Sequence, residues 1–527
     1  MPSTPPKAER PWRIAAALAA LHLALALLAF QPAPYIGGDN GVYVALARSL
    51  AENGSYRELW DPALRAHAQY PPFFPALLAL GVLGGVRGWI GFKLLTVACS
   101  AAAVAASYLW LRRASNPGTA LAAGVLVAMM PGPLVLAAQV LSDVPFWALV
   151  MLALWGAAGA DGEGRDRWAV VAAAGVALAY MTRAAGLPLV LAVLAALAFR
   201  RRWREAATVV ATVGPPAVLW WLWGRRAGAP EYASTLRYVD PYQPAMGTLD
   251  AAGLVERVGR NAMNYLGEHL PVILGGRSAF HVAVAVLLAI LAVAGWARRM
   301  RRPGSAELFF LLYSGLLLVW PATWSGERFL LPLLPLLLLY AAESVRDGAA
   351  ALRIAPVKAG RVAAVALGLA LLPGVAAEAR RGTECTSAYL AGDALPCLAP
   401  VWRDLFAVAT AARGALPPDA VVLSRKPALF YSLSGYRSRL YPASTDPDDF
   451  FRVAREAGAE FVVVDQVPDL APAFLHPTLL ARRDQFCVVP ELSHPEAAMA
   501  RIQPGPPRAA GAPENAFRSC PLDAAAR

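Results

Sequence analysis

Apolar runs of roughly 17–25 residues, the length at which an α-helix crosses a bilayer, recur along this chain from Ile14 to about residue 378. No other feature restricts the fold so strongly. Of the 527 residues, 57% are hydrophobic and only 16% are charged, more apolar surface than one soluble core can hide. The chain therefore reads as an α-helical polytopic membrane protein. A net charge of +12 would suggest nucleic acid if the Arg residues formed one basic domain. Instead they stand in short clusters between the apolar runs, the pattern by which Lys and Arg orient membrane proteins, and nucleic acid is set aside as a partner.

Those clusters act as topological stakes. Lys7, Arg10 and Arg13 precede a first run, about Ile14 to Phe30, that is longer than the ~7–15 residues of a signal-peptide core; it reads as an uncleaved anchor. Arg112-Arg113, Arg165 with Arg167, Arg200-Arg201-Arg202 with Arg204, and Arg298-Arg299 with Arg301-Arg302 should be cytoplasmic. The stretch bearing Arg346, Arg353, Lys358 and Arg361 should join them. The spans then fall near 14–30, 90–111, 119–137, 143–160, 167–183, 186–199, 206–223, 276–297, 305–320, 328–345 and 361–378. That is about eleven transmembrane helices, N-terminus inside and C-terminus outside.

One apolar block breaks the rule. "YPPFFPALLALGVLGGV" (70–86) is short, opens on prolines and ends in glycines. Counted as a span it would reverse every later stake, so it is expected to lie on or dip into the outer leaflet, where broken segments persist only against protein or a cavity. The first outer loop thus runs over roughly 31–89. It contains Asp39 within "GGDNGVYVALARSL". The same threading places Asp143, Arg183, Glu327 and Arg328 on the outer face, with a second outer loop over about 224–275. Ionisable residues at membrane depth suggest a functional site by default, and four on one face say more than any one of them.

Beyond residue 379 the character changes. "AVVLSRKPALFYSLSG" reads as a strand entering a helix, and "DPDDFFRVAREAGAEFVVVD" as a capped amphipathic helix, a Gly turn and a buried strand. The expected organisation is a transmembrane catalytic domain over 1–378 and an extracytoplasmic α/β domain over 379–527, its Pro-rich end loosely ordered. Cys99 falls in a span, as a packing residue. Cys385, Cys397, Cys487 and Cys520 all lie in the outer domain, and an even number in an oxidising compartment invites disulfides. Pairings 385–397 and 487–520 are the most economical of the three possible.

In order along the chain, "GDNGVYVALARSL", "YPPFFPALLAL", "SDVPFWAL", "TRAAGL" and "ERFLLPLLPLL" resemble motifs of the GT-C membrane glycosyltransferases, in particular the bacterial family related to protein O-mannosyltransferases and lipid A aminoarabinose transferases. The resemblance covers most of the chain, and the order of the motifs is its specific part. It implies an enzyme of the bacterial inner membrane. Such an enzyme takes a sugar from a polyprenyl-phosphate carrier and transfers it to an extracytoplasmic protein, lipid or glycan. Related oligosaccharyltransferases hold a divalent metal with acids at the two Asp positions. Here the second motif has one acid, followed by Val144 and Pro145, and relatives using monophosphate carriers need no obligatory metal, so no metal or other cofactor is expected.

The residues support the same chemistry directly. A lipid-borne donor presents its phosphate at the membrane surface, and Arg suits it, being permanently charged and able to bond two oxygens at once. Arg328 is the first candidate and Arg183 the second, each against a plain role snorkelling at a helix end. An acceptor hydroxyl needs a base, and a carboxylate serves. Asp39 is the candidate base, although it is also placed to cap a helix. Asp143 positions the acceptor or the partners of Asp39, or caps the fourth span together with Ser142. Tyr43, His67, Tyr70, Lys93 and Glu327 are candidates for lining the cavity. Two rival classes remain: a transporter or flippase of envelope precursors, which would place its polar residues at midplane in repeated broken helices, and a non-catalytic scaffold, which would need neither Asp39 nor Arg328.

Overall fold

The computed structural model describes residues 11–160, 165–228, 236–241, 243, 246–468, 470–502 and 517–522. Lys7, Arg10 and most of the Pro-rich end (503–516 and 523–527) lie outside the described residues. The chain divides into two compact units: one from Met1–Gln31, Ala68–Phe74 and Lys93–Ser387, the other from Pro32–His67, Pro75–Phe92 and Ala388–Arg527.

The first unit is helical. Every expected span coincides with a helix or a pair of helices, and among the described residues six helices are long and apolar enough to cross a membrane: Pro11–Leu28, Trp89–Ala114, Trp203–Ala227, Ala279–Arg299, Glu327–Ala351 and Pro356–Leu390. The expected span at 119–137 is a pair instead, Pro117–Met129 and Pro131–Ala137, bent by 53°. Pro131 cannot donate a backbone hydrogen bond and its ring clashes with the preceding turn; counted as one span, the pair makes seven. Asp143–Gly159, Ala184–Phe199 and Ser305–Val319 are shorter apolar helices. The last span, expected over 361–378, extends to Pro356–Leu390. The 70–86 block forms a helix of 11 residues, Phe73–Leu83, too short to span.

Small residues set the packing. A Cβ on Gly156 would lie 2.5 Å from the Ala172 nitrogen, and one on Gly175 would lie 2.7 Å from that of Ala153. The Asp143–Gly159 and Arg165–Thr182 helices can approach only because both positions lack a side chain. The basic clusters also clasp helix ends: Arg299 pairs with Glu343 at 2.6 Å and Glu307 at 3.1 Å, and Arg202 donates to the Ala160 carbonyl at 2.7 Å.

The second unit carries the expected α/β element, a six-stranded sheet in the order β2-β1-β3-β5-β4-β6. The strands are β1 Val421–Leu423, β2 Arg437–Arg439, β3 Phe461–Asp465, β4 Phe486–His494, β5 Ala497–Ile502 and β6 Arg518–Ser519. β1 pairs in parallel with β2 and β3, while β5 runs antiparallel to both β3 and β4. Side chains alternate across the sheet. Val463 joins Phe406 and Leu429 on one face, and Val462 joins Phe450 and Leu475 on the other. Helix Pro447–Ala457 begins as its sequence demands, the Asp446 side chain accepting from the Asp448 N–H, and ends on Gly458 at φ 63°. Cys487 and Cys520 are bonded to each other, Cys385 and Cys397 are also disulfide-bonded, and Cys99 is a free thiol.

One partnership has no local signature in the sequence. Helix Asp39–Asn53 packs on Pro427–Ser434, where a Cβ on Gly41 would fall 2.6 Å from the Leu429 backbone and Ser432 donates to the Gly41 carbonyl at 3.5 Å. The segment after the first span is thus part of the same compact unit as the C-terminal sheet.

Candidate active site

Three of the residues singled out in the sequence converge in the first unit. Asp143 opens its helix and is buried, 3% exposed. Its Oδ2 lies 2.7 Å from Arg183 Nη1 and 3.9 Å from Arg328 Nη1. Arg183 stands in extended backbone between two helices. The turn after it is tight because a Cβ on Gly186 would strike the Tyr180 backbone at 2.8 Å. Ser142, expected to cap the helix, makes no side-chain capping bond; its hydroxyl accepts from Arg183 Nη1 at 2.9 Å. The position is spent on the guanidinium instead.

Arg328 belongs to a 3-10 segment, Glu327–Leu333, that leads into the Leu334–Ala351 helix. The next residue, Phe329, is 4% exposed and its carbonyl accepts from the Tyr313 hydroxyl at 3.1 Å. Both guanidinium carbons lie 5.0 Å from the centre of the Phe329 ring. A ring quadrupole attracts cations at this range. One aromatic side chain and one carboxylate therefore hold two Arg side chains together, against their mutual repulsion.

The neighbours of this cluster carry no motif in the sequence. Residues Tyr265–His269 form a π-helical turn, a rare insertion that is frequent at functional sites. It sets Tyr265 beside Ser325 and Gly326, and burial pushes its hydroxyl up to about 12, so the group stays protonated at neutral pH. His269 Nδ1 lies 3.8 Å from Glu327 Oε2. Burial lowers the imidazole below its ordinary pKa, against the opposing pull of Glu327. Asn261, fully buried, donates to the Leu318 and Trp320 carbonyls at 2.8 and 2.7 Å and fixes the helix that carries this turn. The one sequence signal is that the second outer loop, about 224–275, is rich in Tyr, Asn and Arg.

Asp39, Tyr43 and His67 belong to the second unit. Asp39 is the first helical residue, not the cap: that place is taken by Gly38 at φ 88°. A side chain at residue 38 would be strained there, and its Cβ would lie 2.7 Å from the stem of Lys426, whose Nζ donates to the Gly37 carbonyl at 3.3 Å. The carboxylate of Asp39 still benefits from the helix N-terminus. Tyr43 is buried at 2% exposure. His67, equally buried, bonds Glu58 at 2.9 Å through Nδ1 and meets Tyr56 and Trp60 edge-on, the contacts of a structural pin. In the first unit, Lys93 is buried and donates to the Gln31 carbonyl at 2.6 Å, while Tyr70 is half-buried.

Residues 69–223 match the family model described as dolichyl-phosphate-mannose-protein mannosyltransferase. No curated protein matches the chain. Among solved structures, ArnT from Cupriavidus metallidurans in the apo state aligns over 93% of this chain and 98% of its own, with a TM-score of 0.56 and 14% identity. This is the GT-C glycosyltransferase fold. The same ArnT bound to undecaprenyl phosphate gives a TM-score of 0.57 at 16% identity, over 93% and 99% of the two chains. The Archaeoglobus fulgidus oligosaccharyltransferase in complex with Zn and sulfate gives 0.55 at 12% identity, over 90% and 72%. In this chain a cation at Asp143 would meet a poor ligand set. Its carboxylate already faces two guanidinium groups, and among the described residues no three His, Cys, Asp or Glu side chains gather.

Proposed function

We propose that this protein is an integral membrane glycosyltransferase that moves a sugar from a polyprenyl-phosphate carrier to an acceptor on the extracytoplasmic face of a bacterial inner membrane. The observation that carries the reading is the Asp143–Arg183–Arg328 cluster on Phe329. A lone buried carboxylate would need one counter-charge. Here two are assembled, and two Arg side chains together can grip the phosphodiester of a lipid-linked sugar by its two non-bridging oxygens. Holding the leaving phosphate as its negative charge develops lowers the barrier to breaking the bond at the anomeric carbon. In this reading Asp143 is a positioning residue that keeps the two Arg side chains together between turnovers. The Tyr265 hydroxyl is an additional donor beside them.

Asp39 is the proposed general base, taking the proton of the acceptor hydroxyl as oxygen attacks the anomeric carbon and the carrier phosphate departs. Because Gly38 rather than Asp39 caps the helix, Asp39→Asn should leave insertion and thermal stability close to wild type. Loss of a general base costs ~10²–10⁴-fold in rate. The test is transfer by purified Asp39→Asn protein supplied with a polyprenyl-phosphate sugar and envelope acceptor lipids. A rate within threefold of wild type overturns the assignment. The identity of sugar and acceptor would follow from mass spectrometry of envelope lipids and glycans in cells with and without the protein.

A further inference from the structure

A second feature of the helical unit takes no part in this chemistry. Helices Pro117–Met129, Ala279–Arg299, Leu334–Ala351 and Pro356–Leu390 surround a cleft of about 460 Å³, within the size range of ligand sites. Its walls are almost wholly apolar, with Leu126, Val284, Leu287, Leu338 and Leu367 among them. The polar exceptions are Asn116 and Thr119 at the start of one wall helix, and Arg346 and Arg361 where the helix ending at Ala351 turns into the one starting at Pro356. Among the described residues neither guanidinium has a hydrogen-bond or ion-pair partner. The nearest acid in sequence, Asp347, is engaged by Arg298 at 3.3 Å. Gly360 leaves room for Arg346, whose stem would lie 3.6 Å from a Cβ at that position, so the Arg346 stem runs alongside the residue preceding Arg361.

The location separates this cleft from the donor cluster. From Arg328 the chain climbs one 3-10 segment and then the helix to Arg346, roughly 30 Å at ~2.0 and ~1.5 Å per residue. That is about the thickness of a bilayer hydrocarbon core. The two charged ends of this helical stretch thus lie near opposite membrane surfaces. Outside the cleft the same helices present Ile290, Val362, Val365 and Leu369 as exposed side chains, which suits lipid. An apolar slot open to lipid, with two unpartnered cations at its interfacial end, matches the chemistry of one molecular class. Basic pockets between membrane helices take anionic headgroups.

We propose that this cleft is a binding site for one anionic diacyl phospholipid, its chains along the helical walls and its phosphate held by Arg346 and Arg361. The site is distinct from the donor site and goes beyond the proposed activity, which neither requires nor predicts it. Zwitterionic lipid of the same chains should bind far less well, since two interfacial Arg contribute about a 30-fold preference together.

The test uses the full chain, delipidated in detergent and titrated with phosphatidylglycerol or phosphatidylcholine of identical chains, with retained lipid counted by native mass spectrometry. One phosphatidylglycerol should be retained with about 30-fold preference, and it should raise the melting temperature. The double variant Arg346→Gln/Arg361→Gln should bring the preference near unity. Ala364→Trp, which fills the slot, should reduce retention of both lipids and leaves a reading if the double variant folds poorly. Equal retention of the two lipids overturns the proposal, as does an unchanged preference in the double variant. A stabilising shift with inorganic phosphate alone, or displacement by equimolar undecaprenyl phosphate, would equally overturn it. Sugar transfer is read separately, so failure here leaves the assignment of Asp39 and Arg328 standing.

Discussion

Arg183 and Arg328 share one carboxylate oxygen, Oδ2 of Asp143, at 2.7 and 3.9 Å, and one aromatic ring, Phe329, at 5.0 Å each. Two guanidinium groups drawn so close repel one another, and the carboxylate and ring repay that cost. The unequal distances separate the two: Arg183 is the direct ion-pair partner of Asp143, whereas Arg328 stands farther from the carboxylate.

Arg328→Gln should therefore weaken the donor more than the fold. A hydrogen bond to a charged group contributes about 1.5–3 kcal/mol, so kcat/KM for the donor should fall roughly 10- to 150-fold, with the KM for acceptor unchanged. Arg328→Lys should recover only part, because a point charge cannot span two oxygens. Steady-state transfer at varied donor concentration checks this, and an unaltered donor KM in the Gln variant would remove Arg328 from the phosphate site.

Asp143 and Arg183 should behave as a coupled pair in stability. Single Ala substitutions each remove one side of the 2.7 Å ion pair and leave a largely buried charge, and the double substitution removes both. Thermal or denaturant unfolding of all four proteins should give a coupling of about 0.5–3 kcal/mol. Strict additivity would mean that the 2.7 Å contact contributes nothing.

His269 should make stability fall in mild acid. Its folded pKa lies below the ordinary value of 6.5 because burial disfavours the cation. The unfolded chain thus takes up the proton first as pH drops. The contribution is present above pH 6.5 and is lost as pH falls through the lower folded value. Melting temperature measured from pH 7.5 to pH 5 should decline more steeply for wild type than for His269→Gln; parallel curves would exclude the histidine as the source.

Membrane orientation can be read with reporters. A fusion after Arg202 should report the cytoplasm and one after Asp465 the extracytoplasmic side, following the basic clusters. If both report the same side, the threading that underlies the outer-face site is wrong.

Much of this was legible because it depends on local pattern. Apolar runs of bilayer length and the Arg clusters between them marked the apolar helices of the first unit, but not the Ala251–Asn264 helix inside the second outer loop. The motif from Asp446 to Asp465 showed its cap, its Gly turn and its strand. Asp143, Arg183 and Arg328 stood out as charges where charges are costly. What escaped depends on tertiary packing. The π-helical turn at Tyr265–His269 adds one residue to a helical turn, and no residue type demands it. Phe329 looked like one more apolar residue in a greasy helix, since the sequence does not say which cations will lie on its ring. Gly38 stood in plain view, but its positive φ moved the cap one place and made Asp39 a helical residue. The pairing of helix Asp39–Asn53 with Pro427–Ser434 has no local signature beyond the missing side chain of Gly41.

That last pairing bears on how the protein is made. Ser432 and Gly41 are 391 positions apart, so the early helix leaves the ribosome long before the surface that will cover it. At ~5–20 residues per second it waits roughly 20–80 s while the membrane helices are inserted one after another. Throughout that interval its buried face, with Tyr43, Val44 and Leu46, is exposed to any other apolar surface. A chain released near residue 378 would keep the helices and the Arg cluster yet leave Asp39 on an orphaned segment. Synthesis past Ser434 is thus what completes a segment made near the start, and a chaperone has a defined stretch to shield.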